Sequence, residues 1–248
     1  MASVLSSRAM QHETRLLRSE PLAEGTMGFW LARPQGFDYR PGQNGQFTLL
    51  EAKEFDGFGP TRTFTFASAP HESELLIATR MRDTAFKRTL RFASPGLRVG
   101  LEGPNGLMTL HDDPARPAVF IAGGIGVTPF LSMARHAAHS RLPHRLWLFY
   151  SNRRPEDAPF LSELQALAVA NPNFHFVPTM TEMEKSRAGW TGETGMVGKP
   201  LLERHLKGAE RPIYYLAGPP GMVMGMQSML EGLGVPLEDV RDEEFYGY

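Results

Sequence analysis

The sequence predicts two units of different class, an antiparallel β-barrel followed by an α/β unit built on a parallel sheet. Up to about residue 113, short runs rich in Phe, Leu, Ile and Thr are separated by Gly and Pro, which is typical of antiparallel strands. From residue 118 onward strands and helices alternate, the rhythm of a doubly wound parallel sheet. The 248 residues, 42% of them hydrophobic, suffice for two modest cores. We therefore expect domains at 1–113 and 114–248, divided within 111–117.

The individual elements follow from hydrophobic periodicity and from the position of turn residues. The first unit has predicted strands at 14–19, 28–33, 46–50, 62–68, 74–80 and 98–102, and a helix at 83–92. Six strands over this length fit a small barrel. The second unit has predicted strands at 118–122, 145–150, 174–179, 212–217 and 240–245, and helices near 128–139, 157–170, 200–207 and 222–233.

Composition and charge exclude several classes of function. With 26 basic and 27 acidic residues, the chain presents no electrostatic footprint for nucleic acid or an anionic membrane. It contains no cysteine, which removes disulfides, thiolate nucleophiles, cysteine zinc sites and cysteine-ligated iron–sulfur clusters. The histidines form no HExxH pattern, so we expect no metal site. The first twenty residues lack an apolar signal segment and no run approaches about 18 apolar residues, so we expect a cytoplasmic protein without a membrane span.

Residues 117–138 are predicted to be an apolar strand joined to a helix by a glycine loop. This stretch is the most informative one about function. Gly124 and Gly126 permit a tight turn and close approach of a ligand to the backbone, while the unpaired N–H groups at the helix start can bind phosphate. Thr128 suits the N-cap and Pro129 the first turn. Because Pro129 stands where the usual dinucleotide signature has its third glycine, an ordinary strand-to-helix turn is an equally good interpretation of this loop alone.

Three further motifs join the glycine loop. Residues 62–65 (RTFT) put a cation, an aromatic ring and hydroxyls on one strand, residues 103–106 (GPNG) form a turn, and residues 216–222 (LAGPPGM) repeat the strand, glycine turn and helix design. Alternation along the strand sends Arg62 and Phe64 to one face. This set, in this order and over essentially the whole chain, resembles the ferredoxin–NADP reductase superfamily, whose members carry flavin on a β-barrel and bind pyridine nucleotide on an α/β domain.

The resemblance implies a flavin site on the first unit. Arg62, Phe64 and Thr65 match the family's Arg-x-aromatic-Ser/Thr motif, in which the arginine binds the flavin pyrophosphate, the aromatic ring packs on the isoalloxazine and the hydroxyl bonds the ring or the ribityl chain. A surface arginine and a core phenylalanine are the alternative interpretation of these residue types. The remaining flavin-contact candidates are Thr63, Ala78, Arg80, Thr84, Ala85, Phe86 and Lys87.

The resemblance also implies a pyridine-nucleotide site on the second unit. Its first loop comprises Gly124, Gly126, Val127, Thr128 and Pro129, and its second loop comprises Gly218, Pro219, Pro220 and Met222. Ala217 stands where the family normally has a cysteine beside the nicotinamide. After the second strand of the unit, Ser151 and Arg153 are followed by no carboxylate until Glu156, which favours NADPH over NADH.

Three aromatic residues among the last four positions predict that the C-terminal segment is docked. By the resemblance, Tyr246 or Tyr248 shields the flavin face where the nicotinamide enters, and Glu244 lies nearby to help proton transfer. The alternative is that Phe245 fills the α/β core and the tyrosines cover the domain seam.

The predicted function is hydride transfer between NADPH or NADH and bound FAD, which we expect in preference to FMN. Because the chain has no cysteine for an iron–sulfur centre, the electrons would pass to a separate acceptor, a protein such as ferredoxin, flavodoxin or an oxygenase component, or a small molecule. The alternative is a flavin-binding module that senses or relays redox state with little turnover.

Overall fold

The computed structural model describes residues 12–52 and 56–246, and its first half is a six-stranded antiparallel sheet. The strands are β1 (His12–Ala23), β2 (Thr26–Ala32), β3 (Asn44–Leu49), β4 (Thr61–Thr65), β5 (Glu74–Arg80) and β6 (Arg98–Asn105), with helix α1 (Ala85–Phe92) before β6. The strand order is β4-β3-β6-β1-β2-β5. Ala67, just after β4, donates its N–H to the carbonyl of Leu76 in β5 at 2.8 Å and so closes the sheet into a barrel.

The second half is a six-stranded parallel sheet with helices on both faces. It contains β7 (Ala118–Gly123), α2 (Thr128–His139), β8 (Leu146–Asn152), α3 (Leu161–Ala170), β9 (Phe174–Met180), β10 (Glu193–Thr194), α4 (Lys199–His205), β11 (Ile213–Gly218), α5 (Pro220–Gly232) and β12 (Val240–Glu244). The strand order is β10-β9-β8-β7-β11-β12. The direction of winding reverses between β7 and β11, and ligands of such sheets bind at the carboxyl ends of the strands flanking that point.

The parallel sheet is buried on both faces, which explains its continuous apolar strands. Every residue of β7 and β11 is buried. Phe120 packs with Phe130 of α2 and with α3 on one face, whereas Ile121 packs with Val223 of α5 and with α4 on the other. The alternation of these two neighbours in β7 is the period of two expected for a strand.

The fold class predicted from the sequence is therefore confirmed, with local differences. β1 is longer than predicted, and the two-residue strand β10 was missed because it is too short to show a period. Helix α3 begins at Leu161 rather than near 157, since residues 155–157 form a separate 3₁₀ turn and Phe160 adopts φ 61°. The proposed domain boundary at 111–117 lies between β6 and β7.

Hydrogen bonds join the two halves along one seam. Ser132 on α2 donates its hydroxyl to the carbonyl of Ser68 at 2.6 Å, and Asn44 of β3 donates its Nδ2 to Glu243 of β12 at 3.0 Å. The barrel strand β4 and the carboxyl ends of the parallel strands are thereby held at one cleft. In the described part of the chain, none of the helices has both the length and the apolar character that a bilayer span requires.

Candidate functional site

A cleft of about 490 Å³ lies between the barrel and the carboxyl ends of the parallel sheet. Ligand pockets in proteins commonly have volumes of this size. Of the residues predicted to form the site, eleven line it: Arg62, Thr63, Phe64, Thr65, Ala78, Arg80, Thr84, Lys87, Thr128, Glu244 and Tyr246. Two motifs far apart in the sequence thus meet in one cavity.

Strand β4 supplies the cation and the aromatic ring of this cleft. Phe64 packs against Phe86 with ring centroids 5.7 Å apart, and the guanidinium carbon of Arg62 lies 5.3 Å from the centroid of the same ring. Both side chains therefore meet one neighbour, as strand alternation predicted. Phe86 itself is buried in the barrel core and does not line the cleft.

Arg62 is held in place by the segment that precedes β4. Its guanidinium donates to the carboxylate of Asp56 at 3.0 Å and to the carbonyls of Phe58 and Gly59 at 3.0 and 2.8 Å. The second oxygen of Asp56 accepts the N–H of Ala85, the first residue of α1, at 3.0 Å. This carboxylate, which no local sequence pattern indicates, joins the predicted arginine to the predicted helix start.

Helix α1 begins beside a surplus of positive charge. Thr84 is its N-cap, with Oγ1 accepting the N–H of Lys87 at 3.3 Å. Burial, together with the nearby charges of Arg82 and Arg62, lowers the pKa of Lys87 to about 8. A bound anion would relieve this repulsion and restore the pKa of Lys87. The cationic end of the cleft is thus suited to a phosphate or diphosphate group.

The two glycine loops pack against each other at the switch point of the sheet. Residues 124–127 form a 3₁₀ turn, in which Gly124 has a φ of 52° that favours glycine. A Cβ on Gly126 would collide with the carbonyl of Ala217 in the second loop. The absence of a side chain at Gly126 thus lets the backbone at Ala217 and Gly218 approach closely, where the sequence predicted the approach of a ligand.

The predicted N-cap role of Thr128 is wrong. Val127 is the N-cap residue of α2 and Thr128 is the first helical residue, whose hydroxyl donates to the carbonyl of Ile125 at 3.1 Å. Pro129 occupies the first turn, as predicted. Thr128 nevertheless lines the cleft, next to Ile125.

The remaining predicted coenzyme residues surround the carboxyl ends of β7, β8 and β11 without lining the cleft. They are Gly124, Gly126, Val127, Pro129, Ser151, Arg153, Gly218, Pro219, Pro220 and Met222, and Ala85 of the flavin set also lies outside the lining. Ser151 pairs with Gly123 in the sheet register, so the end of β8 adjoins the first loop. Arg153 is 67% exposed and lies 3.7 Å from Glu182.

Glu156 does not point toward an open site. Its carboxylate accepts the hydroxyl of Ser186 at 2.8 Å and the N–H groups of Arg187 and Ala188 at 2.8 and 3.2 Å. Backbone N–H groups, first its own and then that of Arg187, lower the pKa of Glu156 to about 2. The first carboxylate after β8 is thus already committed to the following loop.

The C-terminal segment forms the wall opposite β4. Phe245 donates its N–H to the carbonyl of Gly218 at 2.9 Å, which extends the pairing of β12 with β11. Tyr246 is 79% exposed, and its hydroxyl donates to the carboxylate of Glu244 at the rim of the cleft. The third predicted residue of this group, Tyr248, lies outside the described residues.

Glu243 is a second carboxyl of the cleft, which the sequence did not indicate. Its Oε1 accepts from Asn44, and its Oε2 is buried without a hydrogen-bond partner in the described residues. Burial raises its pKa, so this side chain holds a proton more readily than an exposed carboxyl does. Glu243 and Glu244 both line the cleft, and the sequence contains no signal that decides which of them meets Asn44.

Five other lining residues were missed in addition to Glu243. They are Phe58, Thr79, Arg82, Ile125 and Phe245. Each lies within four residues of a predicted site residue, so proximity in sequence was the available signal.

Known proteins resemble this chain in sequence. Residues 120–228 match the oxidoreductase NAD-binding domain family. Ferredoxin–NADP reductase B of Sorangium cellulosum is 31% identical over 96% of this chain and 99% of its own length. The reductase component of propane 2-monooxygenase from Rhodococcus jostii is 30% identical over 94% of this chain, which spans only 63% of that longer relative.

Solved structures share the fold. A cytochrome P450 reductase from Amycolatopsis superposes with a TM-score of 0.79 and 22% identity over 94% of this chain and 70% of its own. A ferredoxin–NADP⁺ reductase from Neisseria gonorrhoeae, solved with FAD and NADP, superposes with a TM-score of 0.76 and 20% identity over 95% and 99% of the two chains. The chain belongs to the ferredoxin–NADP reductase family, the class of FAD-dependent NAD(P)H oxidoreductases that its motifs predicted.

Proposed function

We propose that this protein takes hydride from reduced nicotinamide onto FAD held in the cleft between β4 and β12, and passes the electrons to a separate acceptor. The observation that carries this proposal is the polarity of the cleft. One end gathers Arg62, Lys87 and the start of α1, whereas the other end holds the buried carboxyl of Glu243 beside the two glycine loops. In a flavin dinucleotide the ribityl chain separates the redox ring from the diphosphate, so these two parts of the cofactor match the two ends of the cleft.

The residues present fit a flavin. Arg62 and the N–H groups of α1 bind the diphosphate, and Lys87 lines the same cleft as a further cation. Phe64, Thr65 and Ala78 line the cleft farther along and hold the ring. A bound flavin supplies the chemistry itself, which is hydride acceptance from nicotinamide and release of electrons singly or in pairs.

The glycine loops orient the pyridine nucleotide. They lie at the switch point of the parallel sheet, and a helix start such as that of α2 offers backbone N–H groups that can bind phosphate. NADPH is preferred over NADH, because Glu156 is committed to residues 186–188 and cannot bind the ribose hydroxyls, while the largely exposed Arg153 can pair with a 2′-phosphate.

Glu243, whose pKa is raised by burial, serves to hold and pass a proton at Oε2 in the cleft that we assign to the flavin. This role replaces the one predicted for Glu244, which instead accepts the hydroxyl of Tyr246 at the rim. Tyr246 covers the mouth of the cleft and limits the access of water, and the nicotinamide displaces it.

The electron acceptor is a separate redox partner. Two relatives are named as reductase components, of propane 2-monooxygenase and of glycine betaine monooxygenase, and a third is named ferredoxin–NADP reductase. We propose a ferredoxin, a flavodoxin or an oxygenase component as this acceptor.

Anaerobic stopped-flow absorption tests the function. The purified protein should show a flavin spectrum that NADPH bleaches within seconds, and NADH should bleach it more slowly. Arg62→Ala should lower flavin retention, because it removes a charge-assisted contact to phosphate. Arg153→Ala should raise the KM for NADPH and leave that for NADH unchanged, with Lys199→Ala on α4 as the distant control. A bound flavin that no reduced nicotinamide bleaches would support the redox-sensing alternative instead.

A further inference from the structure

Asp56 places its carboxylate between the two groups that the proposed function assigns to the flavin diphosphate. Its Oδ1 accepts from the Arg62 guanidinium at 3.0 Å and from the N–H of Phe58 at 3.1 Å. Its Oδ2 accepts the N–H of Ala85 at the start of α1, also at 3.0 Å. The side chains of Asp56 and Arg62 are 25% and 20% exposed, so the pair is largely shielded from water.

This arrangement is the one that an anionic ligand requires. A phosphate at a helix start binds the first free N–H groups, and an arginine adds a charge-assisted bond from the side. Helix α1 has no acidic residue in its first turn, so nothing within the helix meets this demand. Partial burial opposes ionisation of Asp56, but hydrogen bonds from Phe58, Ala85 and Arg62 outweigh it and leave its pKa below the usual value. The carboxylate is therefore an anion at neutral pH.

We propose that Asp56 is an internal competitor for the flavin diphosphate, and that its displacement from Arg62 and from α1 sets the affinity and the exchange rate of the cofactor. The inference rests on the proposed function. The N–H of Ala85 and the Arg62 N–H that Asp56 occupies cannot also bind a diphosphate, and two anions this close together repel each other. The flavin-free protein is stabilised by Asp56, and flavin binding gives up that stabilisation.

The competing hypothesis is that Asp56 holds Arg62 in the orientation that the diphosphate needs. The two hypotheses predict opposite signs. If Asp56 competes, Asp56→Asn strengthens FAD binding and lowers the melting temperature of the flavin-free protein. If Asp56 orients, the same substitution weakens FAD binding.

The experiment is a titration of the flavin-free protein with FAD and with riboflavin, followed by flavin fluorescence, with association rates from stopped flow. For Asp56→Asn we expect the Kd for FAD to fall about tenfold, which corresponds to about 1.4 kcal/mol, and the association rate to rise. The Kd for riboflavin, which carries no phosphate, should stay unchanged. Asp83→Asn is the matched control, because Asp83 lies next to the N-cap of the same helix, is 85% exposed and pairs with Arg88 rather than with Arg62.

Each outcome decides the matter. Weaker or unchanged FAD binding by Asp56→Asn overturns the competition, as does equal tightening for FAD and riboflavin. Asp56→Ser provides the same readout should the asparagine variant fold poorly. If the wild-type protein binds neither flavin, the proposed function fails along with the inference. If wild type binds FAD and the variant gains nothing, only the inference fails.

Discussion

Arg135 on α2 should be costly to remove, because its largely buried side chain joins three parts of the chain. Its Nε and Nη2 donate to the two carboxylate oxygens of Glu163 on α3 at 2.6 and 2.9 Å. Its Nη1 donates to the carbonyl of Ala67, just after β4, at 3.2 Å and to Glu72 at 3.3 Å. Arg135→Ala would therefore remove a bidentate ion pair and a contact between the barrel and the parallel sheet.

The structure sets the size of the effect. Removing one partner of a fully buried ion pair costs about 3–5 kcal/mol. Arg135 is only 16% exposed, but Glu163 and Glu72 are 37% and 33% exposed and regain water when the arginine is lost. We therefore expect the free energy of unfolding to fall by about 2–3 kcal/mol. For a chain of this size that loss lowers Tm by roughly 4–12 °C.

Thermal unfolding followed by circular dichroism measures this loss. Arg98→Ala is the matched control, since Arg98 makes an equally close bidentate pair with Glu13 at 2.9 and 2.7 Å, but both side chains are more than two-fifths exposed. Exposed pairs contribute little, so its Tm should stay close to that of wild type. Equal Tm losses for the two variants would refute the reasoning from burial.

Three other substitutions test the cleft and its walls. Gly126→Ala should lower Tm and raise the KM for NADPH, because its Cβ meets the Ala217 carbonyl and overpacking costs about 1–3 kcal/mol. The control is Gly225→Ala on α5, where a Cβ meets nothing within 4 Å and should leave both quantities unchanged. Equal effects of the two substitutions would contradict the steric argument. Glu243→Gln should raise the free energy of unfolding at neutral pH, because burial raises the pKa of the carboxyl and its ionisation then opposes folding. This gain in stability should shrink as the pH falls through the folded-state pKa. It should vanish below the usual pKa of 4.5. If the free energy of unfolding varied with pH in the same way in wild type and Glu243→Gln, this prediction would be wrong. Tyr246→Ala should leave Tm unchanged, since the ring is 79% exposed, yet lower the KM for NADPH and shift the flavin spectrum. If the spectrum and the KM stayed the same, Tyr246 would not cover the mouth of the cleft as proposed.

Local patterns in the sequence were enough for the fold class and for the shared face of Arg62 and Phe64. Alternation marked β4 and placed Arg62 and Phe64 on one face, because side-chain direction in a strand depends only on a period of two. The glycine and proline positions marked both loops of the parallel sheet, because glycine tolerates the φ of 52° at Gly124 and proline is favoured in the first turn of a helix. These signals are carried by residues a few positions apart, so a single chain read in order reveals them.

Tertiary structure alone decided which groups face the cleft. The carboxyl of Glu243 bonds Asn44, about two hundred positions earlier, across the seam, whereas that of Glu244 accepts the hydroxyl of Tyr246. Asp56 accepts the N–H of Ala85 at the start of α1, far along the chain from it. Gly126 packs on Ala217 because β7 and β11 are neighbours in the sheet. Contacts between distant parts of the chain depend on strand order and closure, and no local pattern of residues encodes them.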